Sequence, residues 1–174
     1  AIWRRSLAEE EWRRTADASF RRDARSDERG EWRLAPGMPD RWVVEYAYKR
    51  MRLRMRLGLT SFKHVGIFPE QAANWNFIYD NCRALAGDGP TDGERVATVG
   101  SGVARGGAPK VLNLFAYTGG ATVACAAAGA QVCHVDAAKG MVNWARENAR
   151  VSALSDAPVR WIIDDLSLIH ISEP

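Results

Sequence analysis

Residues Lys110 to Gly120 read KVLNLFAYTGG, and sixteen residues beyond Gly120 comes Asp136, closing the string QVCHVD. An apolar run, a small glycine-rich turn, an alanine-rich helical segment (Ala121 to Gly129) and a second apolar run ending in a carboxylate form the front half of a nucleotide-type βαβ unit. The first strand, Val111 to Phe115, is almost continuously apolar, as a strand covered on both faces requires, with Asn113 as its polar exception. In the turn Ala116 to Gly120, the adjacent glycines Gly119 and Gly120 let backbone approach a ligand where a Cβ would obstruct it. Asp136, at the tip of the second strand (Gln131 to Val135), has the chemistry to accept hydrogen bonds from ribose hydroxyls.

The pattern continues downstream. A helix over Ala138 to Arg150 covers the sheet with Met141, Trp144, Ala145, Asn148 and Ala149, and a third strand, Val159 to Ile163, ends in Asp164-Asp165. The expected fold is α/β, a partial doubly wound parallel sheet of Rossmann-like type. Asn113, Asp136 and Asp165 would stand at one edge, where open α/β sheets bind ligands.

Upstream the character changes. Residues 1–57 carry fifteen Lys/Arg against ten Asp/Glu, whereas the remainder carries nine against eleven, so the basic charge lies in the first part. An anionic partner such as RNA fits that asymmetry, and so do solvated arginines. Three strands are expected there: Glu31 to Ala35, Arg41 to Tyr48, and Arg50 to Leu57. The last alternates Arg50, Arg52, Arg54 and Arg56 with Met51, Leu53, Met55 and Leu57, which predicts one core face and one solvated arginine face. Pro36-Gly37 and Pro39-Asp40 supply the turn between the first two. A helix follows from Glu70 to Ala86, with Pro69 at its start, where a missing N–H is tolerated.

Three cysteines without CxxC spacing suggest neither a disulfide framework nor a zinc site, and the chain reads as reduced and cytoplasmic. No apolar run approaches a membrane span, so no membrane association is expected.

A dinucleotide would call for G-x-G-x-x-G, which the turn lacks. A nucleoside without phosphates fits better, and S-adenosylmethionine is such a ligand: its adenosine needs the strand-two acid, and its aminoacyl arm packs along the glycine turn. A nicotinamide-dependent oxidoreductase is disfavoured by the missing fingerprint. A non-enzymatic RNA-binding module using the arginine face stays open as the alternative.

The strings AIWRRSL, FKHVGIFPEQAANW, VLNLFAYTGGATVA and HVDAAKGMVNWARENA together resemble the class I S-adenosylmethionine-dependent methyltransferases related to the bacterial 23S ribosomal RNA large-subunit enzymes. The likeness covers nearly all of residues 1–165. It implies that Phe115 to Gly120, with Tyr117 and Thr118, is the cofactor motif, that Asp136 and the adjoining Ala137 contact the cofactor, and that Asp165 lies near the adenine, with Asp164 as the alternative. It also implies that Phe68-Pro69-Glu70-Gln71 folds over the pocket, Gln71 making the contact, unless that segment is only a helix start. RNA would be the substrate. Relative to the wider superfamily, Asn113 replaces an acid and Tyr117 the first glycine, so a reshaped pocket is expected.

Trp144 is read as helix core rather than an adenine stack, His134 as structural, and Tyr117 as either ligand contact or sheet-edge packing. Lys63 and His64 could approach RNA.

The expected organisation is a helix plus small β-rich domain over 1–60, a connecting segment with its helix over 61–86, a loop over 87–109, and a cofactor-binding domain over 110–165. The tail LSLIHISEP, over 166–174, resembles a translated sequencing adapter; the other reading is a genuine strand, Leu166 to Ile171. The family's Asp-Pro-Pro catalytic motif would follow a fourth strand and is not in this sequence, so no catalytic residue is assigned and the chain alone is expected to lack activity.

Overall fold

The computed structural model of the chain describes residues 7–25, 29–61, 64–87 and 107–166. Residues 1–6, Lys63, most of the expected loop over 87–109, and the tail beyond Leu166 lie outside the described residues. The chain divides into two compact units, one comprising Ala1–Trp42 with Leu57–Gly66, the other Val43–Arg56 with Ile67–Pro174.

In the first unit a short helix, α1 (Glu9–Thr15), precedes the antiparallel pair β1 (Ala18–Arg22) and β2 (Gly30–Leu34). Three glutamates in the first turn of α1 and two arginines in its last complement the helix dipole, which suits a helix that buries no residue. β1 has no strand signature in sequence. Its partner makes it one: Phe20 lies opposite Trp32, the rings meet edge to face at 5.2 Å, and Trp32 Nε1 donates to the Thr60 carbonyl at 2.7 Å. The turn after β2 closes by the Met38 N–H donating to the Ala35 carbonyl, with Pro36 second and Gly37 third at φ 84°, as a type II turn demands.

β3 (Arg41–Tyr48) and β4 (Met51–Gly58) form a hairpin across Lys49-Arg50, a connection short enough that the strands must be antiparallel. The alternation in β4 resolves as expected: Met51, Leu53, Met55 and Leu57 are buried, whereas Arg52 and Arg54 are exposed. Within the second unit, Met51 and Leu53 share a core with Trp75, Tyr79 and Cys82 of α2 (Ala72–Leu85), and full burial of such side chains stabilises by roughly 2 kcal/mol each. Pro69–Gln71 forms a 3₁₀ turn leading into α2, so the α-helix proper begins two residues later than its expected start at Glu70.

The second unit continues with β5 (Lys110–Leu114), α3 (Gly120–Ala127), β6 (Gln131–Asp136), α4 (Lys139–Val151) and β7 (Val159–Ile163). The strands lie in the order β5-β6-β7, all parallel, with Asn113, His134 and Trp161 in register on one face. α3 is enclosed: Thr122, Val123, Ala124, Cys125 and Ala126 are all buried, which only a helix of small residues permits. On the opposite face of β5, Leu112 and Leu114 are 62% and 43% exposed. No helix among the described residues is long and apolar enough to cross a membrane.

Candidate functional site

β5 ends where the backbone turns into the left-handed region. Phe115 has φ 53°, Tyr117 φ 51° and Gly119 φ 82°, so three of the five residues from Phe115 to Gly119 adopt a conformation that costs non-glycine residues about 1 kcal/mol or more each. Phe115 therefore belongs to the turn rather than to the strand. Such strain persists only where the surroundings enforce it.

Asp136 is the main restraint. Its Oδ2 accepts the Tyr117 N–H at 2.8 Å and its Oδ1 accepts the Ala138 N–H at 2.9 Å. The second bond is an Asx turn that launches α4; the first holds the strained turn. The backbone assists, with the Ala116 N–H on the Val135 carbonyl, the Gly119 N–H on the Ala116 carbonyl and the Asp164 N–H on the Asp136 carbonyl. Each carboxylate oxygen of Asp136 keeps lone-pair capacity for a further donor, and the side chain is only half-buried. A pair of vicinal hydroxyls matches that capacity.

The two glycines have a packing role. A Cβ on Gly119 would stand 2.8 Å from the Cβ of Ala145, and one on Gly120 would stand 2.9 Å from the indole of Trp75. The missing side chains admit helices α4 and α2 and let α3 start against both.

Beneath the turn runs a polar chain. Asn113 Nδ2 donates to Thr122 Oγ1 at 2.8 Å, and Thr122 Oγ1 shares a 2.9 Å bond with His134 Nδ1. Asn113 thus faces α3 and does not project from the sheet edge with Asp136. His134 is fully buried beside Trp161, its ring centroid 4.8 Å away, with Nε2 unpaired. Burial is the main cause that lowers its pKa to about 4; Asp136 opposes the shift and Arg146 adds to it. It is a neutral structural residue.

An aromatic rim surrounds the turn. Phe115 is 74% exposed and Phe68 42%, and the Phe68 and Tyr117 rings lie 5.3 Å apart. The segment Phe68 to Gln71 therefore sits against the turn, with Gln71 exposed and its Oε1 accepting from Asn74 Nδ2 at 2.7 Å. Thr118 is buried behind the turn, Ala137 is exposed beside Asp136, and Asp164 and Asp165 are both exposed beyond β7. Trp144 donates from Nε1 to the Arg56 carbonyl at 2.7 Å and carries the Arg56 guanidinium over its ring at 5.6 Å, which makes it a packing residue. His64 lies in the first unit, in a loop where its carbonyl accepts from Thr60.

Nothing in motif spacing singles out Thr122, Trp75 or Asn148. The available signal for Asn148 was a polar residue within the apolar stripe of α4, beside Val142, Ala145 and Ala149.

Residues 98–167 match a family model described as S-adenosylmethionine-dependent methyltransferase. The chain is 30% identical over 148 residues to the ribosomal RNA large subunit methyltransferase K/L of Shewanella frigidimarina, an alignment covering 78% of this chain and 17% of that protein. The solved SAM-dependent methyltransferase of Agrobacterium tumefaciens superposes with a TM-score of 0.68 at 34% identity, over 94% of this chain and 43% of that one. SMU.776, a methyltransferase complexed with SAH, shares the fold at a TM-score of 0.54 and 20% identity, over 78% of this chain and 30% of that one. The chain thus spans less than half the length of each relative.

Proposed function

The chain carries an S-adenosylmethionine-dependent methyltransferase domain, and on that premise we propose that it holds the cofactor at the carboxyl ends of β5 and β6 and serves a protein that methylates RNA. The observation that carries the reading is Asp136: a half-buried carboxylate, fixed by two backbone N–H groups, with acceptor capacity left over at the sheet edge.

S-adenosylmethionine, when bound, supplies a methyl group already activated on a sulfonium. The chain's own contribution is binding and orientation. Asp136 takes the ribose hydroxyls. Phe115, Tyr117, Gly119, Gly120 and the peptide of Thr118 shape the wall beside it, and Ala137 leaves the approach open. Asp165, or Asp164 beside it, lies where β7 would bring an acid toward the base. Phe68 and Gln71 close the pocket from the α2 side, since Phe68 already packs against Tyr117. Positioning is the larger part of catalysis for an activated methyl donor.

RNA as substrate draws support from the ribosomal RNA methyltransferase to which the chain is similar and from the exposed Arg52 and Arg54 on β4. An RNA substrate would place the protein in the cytoplasm. The test is calorimetric titration of S-adenosylhomocysteine into the chain and into Asp136→Ala. The reading predicts binding that the substitution weakens at least about tenfold, because charge-assisted hydrogen bonds are lost. Equal binding by both would refute it.

A further inference from the structure

β4 would present an open edge if the hairpin stood alone. Instead, side chains of α4 and of Ser152, which caps its C-terminus, close it. The Arg54 N–H donates to Ser152 Oγ at 2.9 Å, which donates back to the Arg54 carbonyl at 3.0 Å. The Arg56 N–H donates to Asn148 Oδ1 at 2.8 Å, and Trp144 Nε1 donates to the Arg56 carbonyl. Residues 144, 148 and 152 recur at the four-residue spacing that puts them on one helix face, so α4 imitates a neighbouring strand.

Asn148 differs from the other two. Its Nδ2 continues to the Thr118 carbonyl at 2.8 Å, and the side chain is fully buried. One partner is an obligate donor and the other an obligate acceptor, so the amide has a single satisfied orientation. Moving either element away leaves a buried polar atom unpaired, which is unfavourable enough that both bonds should hold or break together.

We infer that Asn148 is a positioning residue that couples the cofactor turn to strand β4. The inference rests on the cofactor reading above. A ligand that fixes the turn at Thr118 tightens the Arg56 peptide through Asn148, and by reciprocity a restraint on β4 strengthens ligand binding. The Arg54 peptide, two residues away on the same strand edge, pairs with Ser152 and serves as an internal reference.

The test is amide hydrogen exchange by NMR on the full 174-residue chain, with and without S-adenosylhomocysteine. The expected result is that the ligand slows Arg56 N–H exchange about tenfold relative to Arg54 N–H. Asn148→Ala should weaken the ligand about tenfold and abolish the relative slowing, whereas Ser152→Ala should do neither. Equal slowing at Arg54 and Arg56 in a wild-type chain that binds the ligand overturns the coupling while leaving the cofactor reading intact. Relative slowing that persists in Asn148→Ala also overturns it. A wild-type chain that binds no ligand defeats the cofactor reading and this inference with it. If Asn148→Ala does not fold, the wild-type comparison still decides.

Discussion

Asp136 reaches from the end of β6 to the backbone of Tyr117, accepting its N–H at 2.8 Å, so the carboxylate proposed to take the ribose hydroxyls is also the one that holds the strained turn. Binding and turn geometry therefore cannot be changed separately at this position.

Asp136→Asn keeps the shape but replaces one acceptor oxygen with a donor amide. One of the two N–H groups, on Tyr117 or Ala138, must then face a donor. The variant should lose about 1–3 kcal/mol of stability, and S-adenosylhomocysteine affinity should fall by tenfold or more. Urea unfolding and calorimetry measure the two effects; a stable variant that merely fails to bind would show that the carboxylate does not support the turn.

Gly119 and Gly129 both have positive φ, 82° and 86°, but only Gly119 is crowded. Gly119→Ala adds the overlap with Ala145 to the backbone strain and should destabilise by about 2–4 kcal/mol. Gly129→Ala meets nothing within 4 Å and should lose only about 1 kcal/mol. Equal losses, read from denaturant midpoints, would contradict the packing role assigned to Gly119.

His134 has a folded pKa lowered to about 4, chiefly by burial. The unfolded chain titrates near 6.5, so between those values the unfolded state binds the extra proton and stability falls as pH is lowered. The full effect is about 3 kcal/mol, lost between roughly pH 6.5 and 4. Melting temperature should fall over that window in the wild type and fall much less in His134→Gln. Parallel pH profiles for the two proteins would contradict this assignment.

Phe115 combines φ 53° with 74% exposure, a strained bulky residue that contributes little to the core. Phe115→Gly relieves the strain but frees the unfolded chain, so stability should change by less than about 1 kcal/mol. Ligand affinity should nevertheless fall severalfold if the ring forms part of the pocket rim. Unchanged affinity by calorimetry would remove Phe115 from the site.

Much of this arrangement was legible one residue at a time. The period of two in Arg50 to Leu57 assigned Met51, Leu53 and Met55 to the core, because strand side chains alternate regardless of what lies nearby. The apolar run, turn and distal acid placed Asp136 at the tip of β6 for the same local reason. β1 escaped detection because its strand character comes from Trp32 across the pair rather than from its own pattern.

What the sequence determined by itself, then, was the order of the elements from β2 onward, the inward face of β4 and the acid at the sheet edge, all set by interactions between near neighbours along the chain. Only the tertiary structure decided that Gly119 and Gly120 make room for Ala145 and Trp75, and that Asn148 spans from Arg56 to Thr118. Those relationships join residues up to 92 positions apart, and a buried polar group or an absent Cβ acquires its meaning from whatever the completed fold brings against it.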